Sequence, residues 1–172
     1  MNVFLTGPSG TGKSSVGPRL GAALGKEFAD TDVLFEQYYG CSGAEIIRES
    51  GISKFREMEE PVLLKTLSSK KNTVISSGAG SILIPSVRIL ALESCWMVWL
   101  RTSVEVIASR LCGTDRAIFD GKSATQVIIQ QKSSRDKFYA LAHEVVDTDN
   151  ISEEDVALKV KNLFINRSDL HE

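Results

Sequence analysis

The stretch GPSGTGKSS at residues 7–15 constrains this chain more than any other part of it. It follows a short apolar run, Val3 to Leu5, and opens a helical pattern from Lys13 to Leu24. Gly7, Gly12, Lys13 and Ser14 satisfy the pattern G-x-x-x-x-G-K-[ST] without a mismatch. Backbone N–H groups converge on phosphate oxygens only where side chains stay out of the way, and a helix N-terminus adds about half a positive charge. Gly10, Thr11, Gly12, Lys13, Ser14 and Ser15 are therefore the candidate nucleotide-binding residues. In this geometry Lys13 reaches the β- and γ-phosphates and the Ser14 hydroxyl ligates Mg²⁺. The alternative is a glycine-rich corner that binds nothing; the strand–loop–helix context favours a nucleotide.

Downstream, short apolar runs alternate with helical segments. EFAD (27–30), TVISSGAG (73–80), CWMVWLRT (95–102) and HEVVDTD (143–149) read as further strands. Helical patterns occupy most of the stretch up to Leu67, then SVEVIASRL, and finally Ser152 to Phe164. Near-continuous apolar strands with helices between them predict a parallel sheet covered on both faces, in the α/β class. The length of 172 residues suits one domain spanning 1–172. Residues 113–123, GTDRAIFDGKS, are polar and weakly periodic, and are expected to form a mobile loop.

Composition removes several function classes. The formal charge of −2 gives no reason to expect nucleic acid or an anionic membrane as a partner. No apolar stretch is long enough to span a bilayer, and no secretory signal is expected. Cys41, Cys95 and Cys112 have no paired spacing and read as free thiols, which points to the cytoplasm.

A phosphate loop does not name a reaction. The D-x-x-G and N-K-x-D motifs of a regulatory GTPase do not occur in the chain. Asp30 and Asp32 instead alternate at the end of the second strand, where parallel sheets form their ligand crevice. Two carboxylates there can serve a metal and an acceptor hydroxyl. The competing reading is helix capping by Thr31 or Asp32, with the helix starting at Val33.

Taken together, GPSGTGKSSVG, FADTD, FREMEE, VISSGAG, TDRAI and RDKFYALAHEVVDTD resemble the shikimate kinase family from about Val3 to Asp149. The resemblance implies a three-layer α/β/α P-loop kinase fold. Its five-stranded parallel sheet would run in the order 2-3-1-4-5, with a lid at about 112–123. It implies ATP and shikimate as substrates, Mg²⁺ as cofactor, and a monomer. Asp30 would support the metal through water, and Asp32 would contact and deprotonate the acceptor hydroxyl. Arg56 and Arg135 would bind the substrate carboxylate, with Glu59 orienting Arg56. Gly78, Ala79 and Gly80 would line the substrate, Arg116 of the lid would stabilise the transferred group, and Arg110 would stack on adenine. Lys13, Asp32 and Arg116 are then the catalytic set. Ser76 takes a position that other phosphate-loop enzymes give to a strand-end aspartate.

The chain departs from the family pattern at Ala79, at Arg116-Ala117-Ile118, and in DTDNISEED, which lacks a proline. Two other functions remain open at this stage: a different metabolite kinase such as a gluconate kinase, and a non-catalytic nucleotide-binding relative. His143, Trp96, Trp99 and Cys112 are read as structural.

Overall fold

The computed structural model describes residues 1–111 and 124–168. Within them, five strands form one parallel sheet. β1 (Asn2–Thr6) leads through the glycine loop to α1 (Lys13–Leu24) and β2 (Glu27–Asp30). α2 (Thr31–Tyr39) and α3 (Gly43–Ser69) precede β3 (Thr73–Ser76), after which a 3-10 turn at Ser81–Leu83 leads into α4 (Pro85–Ser94). β4 (Cys95–Arg101), α5 (Val104–Leu111), α6 (Ala124–Tyr139), β5 (Glu144–Asp147) and α7 (Glu153–Ser168) complete the order.

The strand order is β2-β3-β1-β4-β5, as the resemblance implied. Register places Leu5 beside Ser76, Asp30 beside Ser76 and Thr6 beside Trp99, so these strands end at one edge of the sheet. The strands are apolar on both faces because both faces are covered. Val3, Leu5, Val74, Trp96 and Val98 pack against Val16 and Leu20 of α1 and Val156 and Val160 of α7. Phe4, Ile75, Met97 and Trp99 face the other way, onto Leu63 and Leu67 of α3, Val87 and Ala91 of α4, and Tyr139 of α6.

Three local features differ from the sequence reading. The third strand ends at Ser76, so SGAG is loop and turn, not strand. α4 and α6 were not singled out as elements. α4 begins on Pro85, which supplies a favourable φ at a first helical position, and its apolar periodicity is short. α3 contains Pro61 and is interrupted at Gly51, which has φ 85°. Its start is a reciprocal capping box: the Glu45 N–H donates to Ser42 Oγ at 3.2 Å, and the Ser42 N–H to Glu45 Oε2 at 2.6 Å. Among the described residues, no helix is long and apolar enough to cross a membrane.

Candidate active site

The loop after β1 turns its backbone toward the N-terminus of α1. Gly12 is the N-cap in the left-handed region, and its carbonyl accepts from Val16 N–H at 2.8 Å. Lys13, though the first residue of α1, is buried and folds its ammonium back over the loop. It donates to the carbonyls of Gly7 at 2.7 Å and Pro8 at 2.8 Å. Thr11 Oγ1 donates to the Pro8 carbonyl at 3.0 Å and closes the loop from inside.

The carboxylate of Asp30 links two helix starts. Its Oδ2 accepts from Ser14 Oγ at 2.7 Å, and its Oδ1 accepts from the Asp32 N–H at 3.0 Å. The capping expectation is thereby corrected: the N-cap is Asp30, not Thr31 or Asp32, and the helix starts at Thr31, not Val33. Because Asp30 takes the capping role, Asp32 in the first turn keeps its carboxylate for the cleft. Asp32 is open to solvent through the cleft mouth but walled by protein on its other sides. Desolvation by those walls pushes its carboxyl up to about 6, with further pressure from the Asp30 and Glu59 carboxylates; Lys13 and Arg56 oppose the shift.

Gly78 sits between two carboxylates. A Cβ built on it would lie 2.9 Å from Asp32 Oδ1 and 2.9 Å from Glu59 Oε1. Its N–H donates to Thr31 Oγ1 at 3.1 Å, tying the loop after β3 to the start of α2. Glu59 is buried, so its charge needs partners. It has two: Arg56 Nη1, one helical turn away, and Ser81 Oγ, which donates to Oε1 at 3.0 Å. The Arg56 guanidinium also lies 5.1 Å from the centre of the Phe55 ring.

Arg135 reaches the same cleft from α6. Four residues on, Tyr139 is fully buried, stacks on Trp99 at 5.7 Å, and donates its hydroxyl to the Ala79 carbonyl at 2.5 Å. Burial pushes the Tyr139 phenol up to about 12, against the nearby Arg135 guanidinium. The R-x-x-x-Y pair thus divides its work: Tyr139 holds the glycine segment, and Arg135 faces the cavity.

Asp32, Arg56, Glu59, Gly78, Ala79, Gly80 and Arg135 together line one cavity of about 360 Å³. Phe35, Phe55, Ile47 and Gln131 also line it, and sequence reasoning singled out none of these four as site residues. Phe35 and Ile47 carried no signal beyond an apolar helical pattern, whereas Phe55 stands inside the quoted FREMEE and Gln131 lies one turn before Arg135.

On the other side of the phosphate loop a second cavity, about 320 Å³, is lined by Gly10, Gly12, Ser15, Arg110, Thr148 and Ile151, among others. Arg110 Nη1 donates to the Gly10 carbonyl at 3.1 Å, which fixes the guanidinium beside the loop. Asp149 accepts from Ser103 N–H at 3.0 Å and holds the segment after β5 against the start of α5. This cavity has the loop N–H groups, a guanidinium and apolar side chains that a purine nucleotide requires.

The candidate metal donors, Ser14 Oγ and Asp30, are hard oxygens in direct contact beside the phosphate loop. That set fits Mg²⁺, which takes one or two protein oxygens and completes its shell with phosphates and water. Ser76 is buried at the edge of β3. Arg116, Cys112 and the expected lid at 112–123 lie outside the described residues. His143 has a structural partner: its Nδ1 accepts the Met97 N–H at 2.9 Å.

Comparison with known proteins adds three findings. The family model described as shikimate kinase matches residues 9–164. Among relatives, a shikimate kinase of Geobacter sulfurreducens is 36% identical over 160 residues, covering 92% of this chain and 88% of that protein. One from Chlorobium chlorochromatii is 38% identical over 156 residues, covering 86% and 82%. Among solved structures, the shikimate kinase from Acinetobacter baumannii in complex with shikimate superposes with a TM-score of 0.92 at 30% identity, covering 96% of this chain and 93% of that one.

Proposed function

Because this chain belongs to the shikimate kinase family, we propose that the two cavities hold shikimate and ATP and that the residues between them carry out the phosphoryl transfer. The activity is that of an ATP-dependent shikimate kinase: the γ-phosphoryl group of ATP passes to the 3-hydroxyl of shikimate, giving shikimate 3-phosphate and ADP. One observation carries the assignment of residues: Arg56, Arg135 and Asp32 line one cavity beside the phosphate loop, although they come from three different helices.

Arg56 and Arg135 bind the carboxylate from two different helices, a task suited to planar guanidinium groups. Glu59 and Ser81 keep Arg56 from turning away. With the acid group anchored, the 3-hydroxyl is presented to Asp32. Its carboxyl, poised near neutrality, is ionised at pH 7 and accepts the hydroxyl proton. The hydroxyl oxygen forms its bond to the γ-phosphorus as the bond from that phosphorus to the bridging oxygen of ADP breaks. Lys13 exchanges its loop carbonyl partners for phosphate oxygens and offsets their charge, and the loop N–H groups fix the line of attack. Ser14, and Asp30 through water, would hold Mg²⁺, which when bound neutralises phosphate charge. Arg110 flanks the base. Arg116, which lies outside the described residues, is assigned the role of stabilising charge on the transferred group.

The same reading includes one kinase domain working as a monomer in the cytoplasm, with no nucleic-acid or membrane partner. The test is ADP release by the purified protein with ATP and Mg²⁺ and, in turn, shikimate, gluconate, a nucleoside monophosphate or no acceptor. Shikimate-dependent release is expected. Release only with another acceptor, or nucleotide binding without turnover, would overturn the reading.

A further inference from the structure

We infer that Gln131 of α6 reads a ring hydroxyl of bound shikimate and so sets specificity for the polyol. Gln131 stands four residues before Arg135, on the same face of the helix, and both line the cavity. Among the other polar side chains lining the cavity, Glu59 is held by Arg56 and Ser81 and Ser42 by Glu45, while Ser9 belongs to the phosphate loop and the Glu36 carboxylate can only accept. The Gln131 backbone carbonyl accepts from Ser134 Oγ at 3.0 Å, but among the described residues its half-buried side-chain amide has no hydrogen-bond partner. An amide carries two donors and an acceptor; being half-buried, it is served by water in the open cavity and is available to pair with a bound hydroxyl that displaces that water.

The chemistry of the bound molecule says what that is. Two guanidinium groups already offer more N–H donors than one carboxylate accepts, so the acid end needs nothing further. Asp32 takes the reacting hydroxyl. The remaining hydroxyls each need a partner that can both donate and accept, which Phe35, Phe55, Ile47 and the Glu36 carboxylate cannot supply, whereas Gln131 stands one helical turn from the Arg135 that anchors the acid end. Gln131 can do both.

This inference rests on the reading of the cavity as the shikimate site, and the experiment separates the two. Steady-state kinetics are compared for the natural chain and Gln131→Leu, using shikimate and analogues lacking the 4- or the 5-hydroxyl. The Leu variant is expected to raise KM for shikimate about 3- to 10-fold, the worth of one neutral hydrogen bond. KM for ATP and the melting temperature should not move, and one of the two analogues should show no difference between variant and natural chain. An unchanged KM for shikimate in Gln131→Leu, or an equal loss on shikimate and on both analogues, would overturn the Gln131 assignment alone. Absence of shikimate turnover by the natural chain would instead overturn the reading of the cavity. Should Gln131→Leu melt early, Gln131→Met, which keeps length and helix propensity, takes its place with the same expectations.

Discussion

Gly80 leaves the space that the Arg56 guanidinium occupies. A Cβ built on Gly80 would fall inside the guanidinium itself, and the facing side of Arg56 is pinned by its ion pair with Glu59. Held by Glu59 on its other side, the guanidinium can yield only by swinging its flexible end into the open cavity, away from its present position. Gly80→Ala should displace it and raise KM for shikimate about 10- to 100-fold, the cost of a lost charge-assisted contact. Affinity for ATP, measured by equilibrium titration, should stay near that of the natural chain. An unaltered KM for shikimate would show that Arg56 does not bind the acid group.

Asp32 carries the proton in this account. Asp32→Asn removes the acceptor while keeping the shape, and should lower kcat by about 10²- to 10⁴-fold with little change in KM for ATP. The natural chain should show kcat/KM for shikimate falling as pH drops through about 6, where the Asp32 carboxyl gains its proton. Above that pH the carboxylate is ionised and the profile levels off. The acid limb should be absent from the residual activity of the Asn variant; its persistence would assign the titration to another group.

Arg135 and Tyr139 are neighbours on α6 with separable jobs. Arg135→Ala should raise KM for shikimate strongly and leave the melting temperature nearly unmoved. Tyr139→Phe deprives the Ala79 carbonyl of its donor while keeping the stack on Trp99. It should cost about 1–3 kcal/mol of stability by denaturant unfolding. Equal thermal losses in the two variants would contradict this division.

Ser14 and Asp30 touch beside the phosphate loop, so the metal requirement should depend on both. Ser14→Ala is expected to raise the Mg²⁺ concentration for half-maximal activity, at saturating ATP, by about 10-fold or more. Unchanged metal dependence would remove Ser14 from the metal site.

His143 links stability to pH. Its Nδ1 accepts a backbone N–H and must be unprotonated there; burial, with Arg167 nearby, holds its pKa below the usual value near 6.5. The unfolded chain then binds the extra proton first. The contribution is complete above about pH 6.5 and is lost as pH falls through the lower, folded-state value. His143→Gln should flatten that part of the stability curve, measured by urea unfolding between pH 5 and 7.5.

The legible part of this protein is local. The phosphate loop is contiguous, and its geometry follows from glycine placement and the helix that begins at Lys13. The strands could be read because each is a short apolar run, and the class followed from their alternation with helices. The pairing of Arg56 with Glu59 was readable too, since helical spacing alone brings such residues together. Asp30 and Asp32 were visible as a pair, but their division of labour was not: which one caps α2 depends on backbone angles at a single junction.

Long-range packing decided the rest. Arg56 and Arg135 share a cavity only because α3 and α6 lie on the same side of the sheet, and nothing in either segment encodes that meeting. Gly78 and Gly80 look alike in sequence, yet one makes room for two carboxylates and the other for a guanidinium. The acceptor role of His143 exists only because β5 docks beside β4. By itself, the sequence determined the five strands' approximate places, the helices other than α4 and α6, and the phosphate loop, because those depend on neighbours within one or two turns. The tertiary structure decided which distant side chains face one another, because the close packing of helices on the sheet sets those distances and no local pattern records it.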